Sequence, residues 1–171
     1  MHPLTEKQIR ASFVNASRRE AAQAALPDLT ALDWDRLDYL GWVDRKAHLL
    51  AYAVVPGAGP DDGPTGVLLR ATDPKLRTRR GGVCAWCEDV VRTEDVSLYV
   101  ARRAGAPGRR GNTIGTLLCT DFACSRNVRR RPTLAETGRD DADLRAAVIE
   151  RRIAGLRERS ARFVAEVLRT E

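Results

Sequence analysis

Four cysteines arranged as two close pairs constrain the fold of this chain more than any other feature. Cys84 and Cys87 are separated by two residues, Cys119 and Cys124 by four, and 31 residues lie between the pairs. Thiolates grouped in this way are the ligand set of a tetrahedral zinc ion, with Zn–S bonds of about 2.3 Å. The arrangement uses all four cysteines of the chain. The spacing therefore predicts one structural Zn²⁺ per chain, held by these four side chains.

Three other uses of the cysteines stay open at this stage. A two-residue spacer also occurs in redox-active dithiols, but the expected βαβ context is missing and the second pair would have no role. Two structural disulfides require an oxidising compartment, and the N-terminal segment lacks the basic and apolar regions of a signal peptide. Four unrelated buried cysteines are the third possibility. We favour zinc because the spacing, the number and the intervening sequence agree with it.

The helices are predicted at the two ends of the chain. Thr5 with Gln8, and Ser17 with Glu20, have capping-box spacing, which indicates short helices over residues 6–16 and 18–26. In the aromatic-rich stretch that follows, Gly41 is interpreted as a turn out of a helical segment. A long helix is predicted over residues 140–169, where apolar side chains recur on one face: Leu144, Val148, Ile153, Leu156, Phe163 and Val167.

The middle of the chain reads as two hairpins. Apolar runs at 48–55 and 67–69 flank a loop rich in Gly, Pro and Asp, and runs at 96–100 and 113–118 flank the loop 105–111. The second hairpin lies between the cysteine pairs, and a short helix is expected from residue 121 to a point before Pro132. A turn with two ligands, a hairpin, and a helix with two ligands are the plan of a treble clef.

The predicted fold class is therefore α+β. It combines short N-terminal helices, a small antiparallel sheet with a four-cysteine treble-clef zinc finger, and a long C-terminal helix. The corresponding segments are an N-terminal helical region at 1–47, a β-rich zinc-binding domain at 48–135 and the C-terminal helix at 136–171.

Positive charge is concentrated in the cysteine-bearing segment. Residues 77–131 carry twelve basic and five acidic side chains, a net charge of +7, against +6 for the whole chain. Such a segment favours an acidic partner, either a protein or nucleic acid. In the nucleic-acid alternative Phe122 or Trp86 would stack on a base, although aromatic residues make up only 5% of the chain. The candidate partner-binding residues are Arg102, Arg103, Arg109, Arg110, Arg126, Arg129 and Arg130.

The sequence offers little support for an enzyme. Treble-clef nucleases use histidines to activate water or to hold a catalytic metal, and the two histidines of this chain, His2 and His48, both lie outside residues 84–131. His48 is interpreted as a structural side chain at the edge of an apolar strand. Four sulfur ligands also close a metal to substrate. We expect no catalytic residues and no small-molecule substrate.

Location follows from what the sequence lacks. The chain has no apolar run of the roughly 20 residues needed to span a bilayer. We therefore expect no membrane association, and the cytosol as the compartment.

Three stretches resemble a known family. The stretch 37–44 before a strand, the Cys84-x-x-Cys87 pair and the stretch 118–124 with its two cysteines are similar to the FusB/FusC family of elongation factor G binding proteins. The likeness covers roughly residues 34–131, and the cysteine pattern is its most specific part. It implies a helical N-terminal region followed by a four-cysteine treble-clef domain, in which Cys84, Cys87, Cys119 and Cys124 hold the metal.

The resemblance also implies a partner. Members of that family bind elongation factor G on the ribosome through the zinc-bearing domain and promote its release, which protects translation from fusidic acid. The segment before the zinc module is shorter here than in the resistance proteins. The resemblance leads us to expect binding of elongation factor G, with direct binding to the ribosome, RNA or DNA as the alternative.

Overall fold

Short N-terminal helices form where the capping boxes predicted them. The computed structural model of the chain describes residues 1–57, 63–71, 82–89 and 95–169. Helices α1 (Glu6–Ser12) and α2 (Arg18–Gln23) both begin at complete capping boxes. Both end earlier than predicted. After α1 the chain turns to extended backbone at Phe13, and the Val14 N–H donates to the carbonyl of Gly66 at 3.0 Å, so a tertiary contact ends the helix.

Five antiparallel strands form one sheet in the order β1-β2-β3-β4-β5. They are β1 (Leu40–Val43), β2 (Leu50–Val55), β3 (Thr65–Ala71), β4 (Val96–Arg102) and β5 (Thr113–Cys119). The two predicted hairpins are present, and pairing of Arg70 with Val100 and of Ala71 with Tyr99 joins them. Strand β1 lies within the segment 1–47, so that segment contributes to the sheet as well as to the helices.

The interpretation of Gly41 as a turn is wrong. Gly41 lies inside β1, opposite Ala53 of β2, and a 3-10 helix at Trp34–Arg36 precedes the strand. A Cβ atom at Gly41 would lie 2.5 Å from Cδ1 of Phe122 and 2.8 Å from Cε2 of Tyr39. Glycine is needed there for a close approach between the strand and the second cysteine turn.

The remaining helices follow β4. Helix α3 (Gly105–Arg109) occupies the connection predicted as a loop, α4 (Cys124–Val128) follows β5, and α5 (Leu134–Thr137) leads into α6 (Ala142–Leu168). The carboxylate of Asp141 caps α6 by accepting hydrogen bonds from two backbone N–H groups. The buried face of α6 contains most of the predicted apolar stripe, and Ser160 lies on it as well, with its hydroxyl donating to the Arg157 carbonyl at 3.0 Å.

The sheet separates two apolar clusters, because successive strand residues point to opposite faces. On one face, α6 and the cysteine turns pack against Ala53, Leu69 and Leu118. On the other, the N-terminal segment packs against Trp42, Tyr52 and Leu68 of β1–β3. The predicted α+β class is confirmed. Within the described residues, no helix is both long and apolar enough to cross a membrane.

Candidate metal centre

The first cysteine pair lies in a turn that is attached to the edge of the sheet. The Ala85 N–H donates to the carbonyl of Leu117 in β5 at 2.8 Å, and the Glu88 N–H closes the turn on the carbonyl of Cys84 at 2.9 Å. Glu88 has a positive φ of 50°. These bonds direct both thiols inward, where Cys84 and Cys87 are buried.

The second pair spans the end of β5 and the start of α4. Cys119 is the last residue of the strand and Cys124 the first of the helix. Between them the Phe122 N–H donates to the carbonyl of Cys119 at 3.0 Å, and Phe122 has a φ of 57°, which is unusual for a bulky residue. The four-residue spacer thus reverses the chain tightly enough for both thiols to meet the first pair.

The four sulfur atoms are close enough for a single metal ion. The Sγ atoms of Cys84 and Cys124 are 3.6 Å apart, as are those of Cys87 and Cys119, and all four lie within 4.8 Å of one another. Sulfurs at the corners of a tetrahedron with Zn–S bonds of about 2.3 Å would be about 3.8 Å apart. An all-thiolate donor set suits zinc. The residues therefore fit a closed structural zinc site.

The electrostatics of the cluster favour a cation. Hydrogen bonds from Cys119 and Cys124 lower the pKa of the Cys84 thiol, whereas the hydrogen bond with Cys119 raises the pKa of Cys124. Buried thiolates this close together repel one another, so they cannot all be ionised unless a positive charge lies between them. A bound Zn²⁺ would supply that charge.

Buried polar and aromatic groups surround the sulfurs. The side-chain amide of Asn127 in α4 donates to Sγ of Cys119 at 3.4 Å. Trp86 packs edge-on against Tyr39, with ring centroids 4.8 Å apart, and the Tyr39 hydroxyl donates to the Phe122 carbonyl. Burial and the nearby Cys124 thiol raise the pKa of Tyr39 well above its usual value. This shell orients the ligands and keeps water away from them.

Comparison with known proteins agrees with this geometry. Residues 8–167 match the family described as FBP C-terminal treble-clef zinc-finger. The chain belongs to this family. A solved structure of the fusidic acid resistance protein FusC is 22% identical to the chain, with a TM-score of 0.53 over 74% of this chain and 52% of FusC. At that identity the likeness shows the fold, and the chain spans about half the length of FusC. Among curated proteins, none matches the chain significantly.

Two predicted arginines of this FBP zinc finger belong to the scaffold. Arg129 donates through two nitrogens to Asp38, and Arg130 donates to Asp89 at 2.6 Å and to Glu136 at 2.8 Å. Their side chains are 17% and 9% exposed. The hydrogen bond with Arg130 lowers the pKa of Glu136 well below its usual range. These two guanidinium groups attach α4 to the rest of the fold, so the structure does not place them on a partner-binding surface.

The other five arginines are distributed over two places. Arg103 donates to the backbone carbonyl of Glu166 in α6 and is only 19% exposed, so it too is mainly structural. Arg102 is exposed at the end of β4, where it pairs with Glu20 at 2.8 Å. Arg126 is exposed on α4 and pairs with Asp121. The exposed candidates that remain are Arg102, Arg109, Arg110 and Arg126.

The structure also shows where the aromatic and histidine side chains considered above lie. Trp86 and Phe122 are 1% and 7% exposed, because they pack around the cysteines, and neither can stack on a base. His48 lies two residues before β2, as its predicted place at the edge of a strand required, but it is exposed in the turn, which does not fit the predicted structural role. Asp38 and Asn127 also support the site, although the sequence did not indicate a role for either. Asp38 pairs with Arg129 and Arg157, which are remote in the chain. The contact of Asn127 with Cys119 is not part of a sequence motif.

Proposed function

We propose that this FBP-family protein is a zinc-dependent, non-enzymatic binding protein that engages elongation factor G on the ribosome in the cytoplasm and promotes its release. The observation that carries the proposal is the family match over residues 8–167, joined to four buried cysteines in the geometry of a zinc site. The fold shared with a fusidic acid resistance protein also supports this proposed function.

The design of the site supports binding over catalysis. Four sulfur donors leave a zinc ion no open position for substrate or activated water. All four cysteines are at most 4% exposed, so the metal would lie inside the domain. The metal would hold β5 and α4 in a fixed arrangement and would thereby stabilise the surface that they present.

The exposed arginines supply the electrostatic part of the proposed interface. Arg109 and Arg110 lie on α3 and directly after it, and both are exposed. Guanidinium groups bind carboxylates with two hydrogen bonds each. An acidic protein surface is thus a suitable partner.

The direct experiment is a calorimetric titration of zinc-loaded protein with elongation factor G from the same organism. A second assay measures dissociation of elongation factor G from ribosomes stalled by fusidic acid, with and without the protein. Saturable binding and faster dissociation are expected. Absence of binding by zinc-loaded, folded protein contradicts the proposal.

Direct binding to ribosomal RNA is the second candidate, since four predicted arginines are exposed. Contacts to phosphates make affinity fall with salt, with a slope of about −0.7 per contacted phosphate for single strands. A titration of bare ribosomal RNA at several salt concentrations separates the two functions. Binding that is tight to RNA, steep in salt and absent for elongation factor G would favour the RNA function.

A further inference from the structure

One part of the sheet face that carries the N-terminal segment is left uncovered by the described residues of the chain. The N-terminal segment packs on β1–β3, and Glu20, which pairs with Arg102 at 2.8 Å and lies 3.8 Å from Arg70, marks its border. Beyond that border the same face continues on β4 and β5. Arg70 lies opposite Val100, and Val100 opposite Gly115.

This uncovered face is apolar. Leu98 and Leu117 lie opposite each other on β4 and β5 and are 39% and 40% exposed. Val83 is 49% exposed, in the segment that approaches Leu117 just before the first cysteine turn. Three of the five large apolar side chains that are exposed in the described residues thus gather here. We call Val83, Leu98, Val100 and Leu117 the β4–β5 strip.

The strip runs along β5, the last strand in the order of the sheet. The Thr120 N–H donates to the backbone carbonyl of Asp95, and the Arg103 N–H donates to that of Asn112. In an antiparallel pair of strands, hydrogen-bonded and non-hydrogen-bonded positions alternate from these two pairs. The backbone groups of Thr113, Gly115 and Leu117 therefore point away from β4. The Leu117 carbonyl accepts from Ala85. In the described part of the chain no partner is seen for the backbone groups of Thr113 and Gly115, which can pair with a short added strand.

Charge distinguishes the two ends of the strip. At one end are the first cysteine turn and Val83; at the other are Arg102, on the same face of β4 as Leu98, and the exposed Arg109 and Arg110 of the β4–β5 connection. The outward positions of β4 and β5 include no acidic residue. If a second copy paired through the same strip, its outward positions on β4 and β5 would offer no acidic side chain to these arginines.

We propose that the β4–β5 strip docks an extended segment of the protein partner. The segment adds to β5 as a short sixth strand, directs apolar side chains onto Leu98 and Leu117, and places acidic residues at the end near Arg102 and Arg110. Main-chain hydrogen bonds supply affinity, and the apolar and acidic side chains supply specificity. The inference rests on the proposed function, since it assigns the surface through which elongation factor G is engaged.

The test compares variants in one titration with elongation factor G. We expect Leu98→Asp and Leu117→Asp to weaken binding at least tenfold, because each inserts a charge into a desolvated contact. Leu134→Asp is the matched control: Leu134 is 64% exposed and lies on α5, outside the strip, so binding should change less than twofold. Metal content and circular dichroism establish that each variant is folded.

A separate variant tests whether the partner adds a strand to β5. Thr113→Pro removes an outward N–H without removing a hydrogen bond between β4 and β5, and it is expected to weaken binding severalfold. Unchanged binding by folded Thr113→Pro overturns strand addition. Unchanged binding by both leucine variants, with wild-type protein binding normally, overturns the inference while the proposed function stands. Absence of binding by folded wild-type protein overturns both the proposed function and this inference.

Sedimentation of the free protein tests whether a second copy of the chain binds to the β4–β5 strip instead. A monomer at micromolar concentration is expected. A dimer that Leu117→Asp dissociates would assign the strip to a second copy and overturn the proposal.

Discussion

Replacing Asp38 by alanine tests how strongly the buried ion pairs attach the metal-bearing helix to the fold. The Asp38 carboxylate has no exposed surface. It accepts two hydrogen bonds from Arg129 and one from Nε of Arg157 at 3.0 Å. Its backbone N–H donates to Oγ of Ser125 at 2.9 Å. One residue therefore connects the segment before β1 with both α4 and α6.

The loss of stability in Asp38→Ala depends on how well water can solvate the two arginines that Asp38 leaves unpaired. Removing one member of a buried pair costs about 3–5 kcal/mol, because the other charge stays buried. Arg129 is 17% exposed, which places its loss near the lower end of that range. Arg157 is 62% exposed and rehydrates, so its pair contributes at most about 1 kcal/mol. We expect Asp38→Ala to lower the free energy of unfolding by about 3 kcal/mol, and Arg157→Ala by less than about 1 kcal/mol.

Urea unfolding at a fixed excess of zinc, followed by circular dichroism, measures these differences. Zinc is held constant because binding to the folded state adds to the apparent stability. Asp38→Asn keeps the shape of the side chain but removes the charge and one of the two acceptor oxygens that the arginines use, so a similar loss is expected without a cavity. A loss below about 1 kcal/mol for Asp38→Ala, with an unchanged denaturant slope, would refute the assignment of Asp38 as the connecting residue.

The remaining predictions concern the metal, one further ion pair and one close contact. Chelation or Cys119→Ser should unfold the domain, since zinc-finger binding energies of about 10–16 kcal/mol are as large as the whole stability of a domain, about 5–15 kcal/mol; native circular dichroism in metal-free protein would contradict this. Glu136→Gln should lower stability by about 1.5–3 kcal/mol at pH 7. Because the folded-state pKa of Glu136 is lowered from 4.5, that difference from wild type is complete above pH 4.5 and shrinks as the pH falls below it; a difference that grows in acid in parallel unfolding curves would be inconsistent. Gly41→Ala should cost about 1–3 kcal/mol because its Cβ would lie 2.5 Å from the Phe122 ring, and an unchanged melting temperature would exclude that clash.

Local patterns in the sequence predicted the parts of the fold that depend on neighbouring residues. Both N-terminal capping boxes form, since their partners lie three residues apart. The cysteine spacing predicted the cluster because the turn at 84–87 and the reversal at 119–124 need few residues to aim their thiols. The apolar stripe predicted α6, whose period is a property of the helix itself.

Contacts between remote segments were decided only by the tertiary structure. Arg129 and Asp38 are 91 positions apart, and nothing near either residue indicates the pair, so the sequence could not separate structural arginines from exposed ones. Gly41 looked like a turn until the fold placed the Phe122 ring against it. The exposure of Leu98 and Leu117 in the β4–β5 strip likewise depends on where the N-terminal segment stops among the described residues. The cysteines alone determine that a metal can be held, whereas packing across the chain determines which surface that metal supports.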